Sequence, residues 1–208
     1  MPKLKLTYFD FHGGRGQTAR LALTIAKLPF EDDRVGFADW PGRKASTLYG
    51  TLPELETDGV RLSQSNAINR YVGRLTGLYP EDSLQAAFCD EAMDAVEDVS
   101  VQLVPTLFMP EEQKKARRKE LADGCIPFYA ARLGQQLSAR GGQYFADGRL
   151  TVADLKVFVL IRHLTGGVLE HIPADLVQRT APGLVAHRDR VAGHEGVKAY
   201  YAKHNVAL

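Results

Sequence analysis

Gln64 and Ser65 stand where a strand-like run gives way to a helical one, and neither carries a charge. Val60 to Leu62 follows Asp58-Gly59, a strong hairpin pair, and so reads as a short return strand. From Asn66 onward Ala67, Ile68, Tyr71, Val72 and Leu75 recur at helical spacing. Ser65 then falls at the N-cap, where its hydroxyl can accept an orphan backbone N–H. The plain consequence is a capped helix. The sharper one is an anion site, because the first N–H groups of a helix and its dipole together favour a carboxylate or phosphate. The local pattern is compatible with both.

Two further side chains are candidates for chemistry. Tyr8 lies near the end of Lys3 to Phe9, which alternates polar and apolar residues as a half-buried strand does. A phenol stays protonated near neutral pH and can donate to an anion; a core tyrosine is the alternative. Lys156 is the one polar residue in the run Leu155 to Ile161. In a helix buried nearly all round, such a lysine must reach solvent, pair with an acid or face a cavity. At 100° per residue, Lys156, Leu160 and His163 form one narrow stripe.

Other chemistries find little support. The six histidines show no ligand spacing, so no metal site is expected. Cys89 and Cys125 form no Cys-x-x-Cys pair; with no leader-like segment and no long apolar run, they point to free thiols and a cytoplasmic location. A net charge of +1 argues against nucleic acid or an acidic membrane as partner. Lys114 to Lys119 follows Glu111-Glu112 and reads as the solvated face of a helix start.

Behind these residues the chain divides in two. Strand, helix from Thr18 to Lys27, strand from Glu31 to Val35, an irregular segment from Phe37 to Leu48, two strands and a helix make a small α/β domain with a mixed sheet over residues 1–76. Gly77 to Ser83 is rich in turn formers and reads as a linker. Residues 84–208 are helical in pattern throughout, with helices at Leu84–Val104, Glu111–Ser138, Val152–Leu164, Pro173–Arg179, Gly183–Val191 and near Val197–Lys203. Thr151-Val-Ala-Asp154 has the form of a capping box. The fold class is therefore α/β plus all-α.

"LTYF" on the first strand, then "ADWPGRK", "GTLPELETDG", "LSQSNAINRY" and, in the helical half, "LTVADL" make the chain resemble a cytosolic glutathione S-transferase. Sigma-class enzymes, which include the glutathione-dependent prostaglandin D synthases, are the nearest in pattern. The resemblance covers essentially the whole chain. It implies an N-terminal thioredoxin-like, glutathione-binding domain, an all-helical domain carrying an electrophile pocket, and a cytoplasmic homodimer that serves detoxification.

The resemblance also assigns residues. Tyr8 would donate to the glutathione thiol and Arg15 would support its ionisation, although the loop from Asp10 to Arg15 is one residue longer than the family pattern. Trp40 and Lys44 would hold the glycyl carboxylate. Leu52, before a cis Pro53, would offer its backbone to the cysteinyl unit. Gln64 and Ser65 would bind the γ-glutamyl carboxylate, and Asp98 would reach across a dimer to the partner's glutathione. Thr51 departs from the Lys or Gln common in the family and implies weaker affinity. Phe9, Phe11, Lys156, Leu160 and His163, with residues around Leu103 to Leu107, would wall the pocket, where the Lys156 cation would favour electrophiles bearing a carboxylate. Glutathione is the implied co-substrate, with small hydrophobic electrophiles. Two alternatives remain open. One is prostaglandin isomerase activity, although Trp40 is the only tryptophan and cannot build a tryptophan-rich wall. The other is a non-catalytic, crystallin-like role.

Overall fold

The computed structural model describes residues 2–208. Its first part is a four-stranded sheet: β1 (Leu4–Phe9), β2 (Glu31–Val35), β3 (Glu54–Thr57) and β4 (Val60–Ser63), in the spatial order β2-β1-β3-β4. β1 runs parallel to β2 through α1 (Gly14–Ile25) and antiparallel to β3, which turns back into β4. Alternation along β1 buries Leu4, Leu6 and Tyr8 on one face. That face meets α1 and α3 (Ser65–Thr76). The segment expected to be irregular contains a short helix, α2 (Trp40–Arg43), followed by a 3-10 turn at Lys44–Ser46.

The helical part comprises α4 (Ser83–Leu103), α5 (Glu111–Asp123), α6 (Cys125–Ala139), α7 (Val152–Thr165), α8 (Leu176–Thr180), α9 (Pro182–Ala192) and α10 (Glu195–Lys203). Several boundaries differ from those expected. α1 begins at Gly14, four residues before Thr18, because a glycine with φ +63° can open the helix directly from the loop. The helix expected from Glu111 to Ser138 is two helices, broken at Gly124, whose φ −131° and ψ −82° are not helical. The one expected from Pro173 begins at Leu176. The basic run is not wholly a solvated face: Arg118 is buried, bonding the Thr106 hydroxyl at 2.9 Å and the Glu170 carbonyl at 3.1 Å.

α7 is the hub. Every residue from Val152 to Ile161 is buried, and the helix packs on α1, α3, α4, α8 and α9. Its start is fixed by Asp154, which is fully buried and accepts four hydrogen bonds. The Thr151 N–H (2.8 Å) and hydroxyl (2.7 Å) bond one carboxylate oxygen, closing the capping box. The Phe145 N–H and the His187 Nε2, each at 2.9 Å, reach the other. Truncating this acid strands all four donors in a dry site. Asp154→Ala should therefore lower unfolding free energy by about 3 kcal/mol or more, and Asp154→Asn by less. Urea unfolding measures it; a loss below about 1 kcal/mol would mean that the network is not what anchors α7.

Candidate functional site

Tyr8 ends the buried face of β1 with its ring 5% exposed, and its hydroxyl accepts the Arg15 backbone N–H at 2.9 Å. The oxygen is thereby engaged as an acceptor, and the phenolic hydrogen, which bonds no described residue, is left to donate. Burial pushes the phenol's pKa up, with the Arg15 N–H opposing, so the group stays a donor at neutral pH. The close approach of α1 to this ring requires glycine: a Cβ at Gly16 would lie 2.3 Å from the Tyr8 ring, and one at Gly14 would lie 2.5 Å from the hydroxyl. Arg20, fully buried, bonds the carbonyls of Phe9 and Phe11 and the Asp32 carboxylate. It holds the loop between β1 and α1 in shape.

Arg15 lies in the first turn of α1, not in the loop where the sequence pattern places it. Its Nε donates to Glu97 Oε1 at 2.6 Å, and the other oxygen of Glu97 accepts from Lys156 Nζ at 3.0 Å. Burial works against the Glu97 carboxylate, but Lys156 and Arg15 outweigh it and hold its pKa below the ordinary carboxylate range. Lys156 also donates to Asn66 Oδ1.

The start of α3 has the makings of an anion site. Gln64, not Ser65, is the N-cap residue, and it adopts φ 72° and ψ 115°. A non-glycine residue held there is strained by about 1–3 kcal/mol, which points to a functional constraint. Ser65 is the first helical residue and is buried, Gln64 is exposed, and no acidic residue occupies the first turn. The Leu52–Pro53 bond is cis, and the β3 ladder begins only at Glu54, so the Leu52 backbone takes no part in the sheet register.

Trp40 packs edge-on against Phe9, with ring centroids 5.4 Å apart, while Phe9 stacks on Phe37. Arg43 is committed to Asp33 through two hydrogen bonds. Lys44 is exposed, and among the described residues it forms no ion pair. Its loop is tied down by Glu54, which accepts from the Leu48 N–H and from Arg61, each at 2.5 Å. Asp98 is exposed on α4 and accepts from the Tyr129 hydroxyl at 3.1 Å.

Phe9, Phe11, Lys156, Leu160 and His163 line one largely apolar cavity of about 200 Å³, together with Tyr8, Arg15, Leu103 and Leu107. Phe37 and Phe108, 59% and 78% exposed, stand at its rim. A second, polar cavity of about 300 Å³ lies against Lys5, Thr7, Trp40 and Arg43. Leu52 borders both. Among the described residues no cluster of three or more His, Cys, Asp or Glu side chains is placed to hold a metal ion.

Glu97 was not foreseen, nor were Asn66 and Glu54. Glu97 was findable: it lies beside Asp98 on α4, and one residue's rotation of 100° separates the face toward Arg15 from the face toward Tyr129. Asn66 carries no such signal, because its partners Asp94 and Lys156 lie far along the chain; Glu54 bonds Leu48 and Arg61, six and seven residues away, but no repeating pattern marks that pairing.

Residues 4–74 match the family model of the glutathione S-transferase N-terminal domain, and residues 97–204 that of the C-terminal domain. The chain is 37% identical to glutathione S-transferase 1 of Ascaris suum over 161 residues, which is 76% of this chain and 78% of that one. Among solved structures, prostaglandin synthase D of Nilaparvata lugens superposes with a TM-score of 0.86 at 30% identity, covering 97% of this chain and 98% of that one. The Fasciola hepatica sigma class glutathione S-transferase does so with a TM-score of 0.83 at 27% identity, covering 100% and 98%. With both domains matched and the fold shared, this chain belongs to the glutathione S-transferase family and is a glutathione transferase.

Proposed function

We propose that the chain is a sigma-class enzyme that ionises the thiol of glutathione and directs the thiolate at small hydrophobic electrophiles. The observation that carries this reading is the Tyr8 hydroxyl: it accepts the Arg15 N–H, its hydrogen bonds no described residue, and it borders an apolar cavity. A free thiol has a pKa near ~8.5, so at pH 7 only about 3% is thiolate. Making thiolate the major form takes roughly two units, or about 2.7 kcal/mol of preferential stabilisation of the anion. A phenolic donor in a nearly dry site, with the Arg15 cation close by, is of that order.

The rest of glutathione is placed by backbone and small donors. The γ-glutamyl carboxylate is assigned to Gln64, Ser65 and the first N–H groups of α3; the cysteinyl unit to the backbone of Leu52; the glycyl carboxylate to Trp40 and Lys44. Thr51 is too short to add a contact there. The electrophile occupies the cavity walled by Phe9, Phe11 and the Lys156–His163 stripe, where the thiolate attacks and a new C–S bond forms. The protein is proposed to act in the cytoplasm as a homodimer with Asp98 facing the partner's site. No described helix is long and apolar enough to cross a membrane.

A second reading, isomerisation of prostaglandin-like endoperoxides, is favoured by the likeness to the prostaglandin synthase and disfavoured by the lack of tryptophan in the cavity. Conjugation of a chloronitrobenzene tests the first reading directly. Glutathione binding without turnover on any of a panel of electrophiles would indicate a non-catalytic, crystallin-like protein.

Removing the Tyr8 donor in Tyr8→Phe should lower turnover about 10- to 100-fold, equivalent to about 1.5–3 kcal/mol, while glutathione affinity stays within a few fold. The ultraviolet absorbance of the bound thiolate should report a higher thiol pKa; an unchanged value would remove Tyr8 from the mechanism. Ser65→Ala acts through binding instead, weakening glutathione by about 1–2 kcal/mol. Equal affinities by calorimetry would disprove the assignment of the α3 N-terminus.

A further inference from the structure

Glu97 projects from α4 between two cations carried by different helices. Its Oε1 takes the Arg15 Nε–H at 2.6 Å and its Oε2 takes Lys156 at 3.0 Å. The three side chains are 28%, 26% and 5% exposed for Arg15, Glu97 and Lys156, so solvent screens the set only weakly. One carboxylate thus serves two cations and leaves one positive charge over at the cavity floor. The neighbouring acids belong elsewhere: Asp94, a turn earlier on α4, and Asp90 are paired with Arg70, and Asp94 also accepts from Asn66. On α1, Arg20 is spent on Asp32. From β1 the Tyr8 phenol is neutral, and on α7 His163 sits exposed two turns away.

We propose that Lys156 tunes the glutathione thiol without touching it, by holding half of Glu97 away from Arg15. The proposal rests on the assignment of Tyr8 and Arg15 to thiolate formation. A carboxylate paired with Arg15 alone would cancel most of the guanidinium's field at the thiol. Shared with Lys156, it leaves a net charge of +1 that a thiolate balances and a neutral thiol does not. Lys156 suits this role better than capture of a substrate carboxylate. It is 4% exposed, and its amine is committed to Glu97 and Asn66. Lys156 is therefore a positioning residue, and Glu97 is the group through which it acts.

The test is the pKa of the bound glutathione thiol, read from thiolate absorbance in the full-length protein. Lys156→Met should raise it by about one unit, with kcat/KM falling about tenfold at mildly acidic pH and recovering as pH rises. Lys156→Arg should keep the parent value. Glu97→Gln added to Lys156→Met should bring the pKa back down, an outcome that a merely structural role for Lys156 does not produce. An unchanged pKa in Lys156→Met, or no return in the double variant, would overturn the proposal. So would a loss confined to carboxylate-bearing electrophiles, compared with matched neutral ones, at constant thiol pKa. A parent protein with no lowered thiol pKa would instead sink the Tyr8–Arg15 reading beneath it.

Discussion

Asp154 is a carboxylate with no access to water, and the placement of α7 follows from satisfying it. Four donors from Phe145, Thr151 and His187 converge on its two oxygens, which fixes where the helix begins and how it is rotated. A buried acid tolerates little slippage, since any displaced donor would be left unpaired in a dry interior. With the start pinned, the apolar helix runs through the centre of the molecule and supports α1 and α4 from behind. It is this rotation that turns Lys156 and Leu160 toward the cavity.

The cavity is accordingly an interface property. α1 supplies Arg15, α4 supplies Val96, Ser100 and Leu103, α7 supplies Lys156 and Leu160, and the end of β1 supplies Tyr8 and Phe9, while Glu97 of α4 stands behind the wall and bonds Arg15 and Lys156. Where three helices meet a strand end, a charge introduced by one is compensated by another. Lys156 illustrates this. Burial drives its ammonium pKa down, and Glu97 opposes the shift. The lysine is tolerable only because α4 brings that acid, which α1 needs as well.

The two halves of the site are built from different materials. The part beside the sheet relies on backbone: a cis peptide before Pro53, a helix N-terminus at Ser65, and a strained Gln64. Gln64 keeps its strained conformation only because the structure around it holds it there. The cavity half relies on side chains from α4 and α7, with exposed Phe37 and Phe108 at its mouth. Its shape depends on what each helix presents, so it can change with single substitutions.

Much of the architecture was legible in the sequence. Alternation along β1, the Asp58-Gly59 turn and the helical spacing after Asn66 act over a few residues, and local steric and hydrogen-bonding preferences suffice to express them. The capping box at Thr151 is local for the same reason, and the motifs around Tyr8, Leu52 and Gln64 identified the family. What the sequence left open was settled by contacts between distant segments. That Glu97 meets Arg15 and Lys156 while Asp98 faces Tyr129 depends on the rotation of α4 against α6 and α7. That Arg15 stands in a helix follows from Gly14 and Gly16 letting α1 close onto the Tyr8 ring. That Arg118 turns inward to Thr106 is likewise decided by packing. A one-dimensional pattern records which face of a helix is apolar; which acid meets which cation is determined only when those faces are brought together.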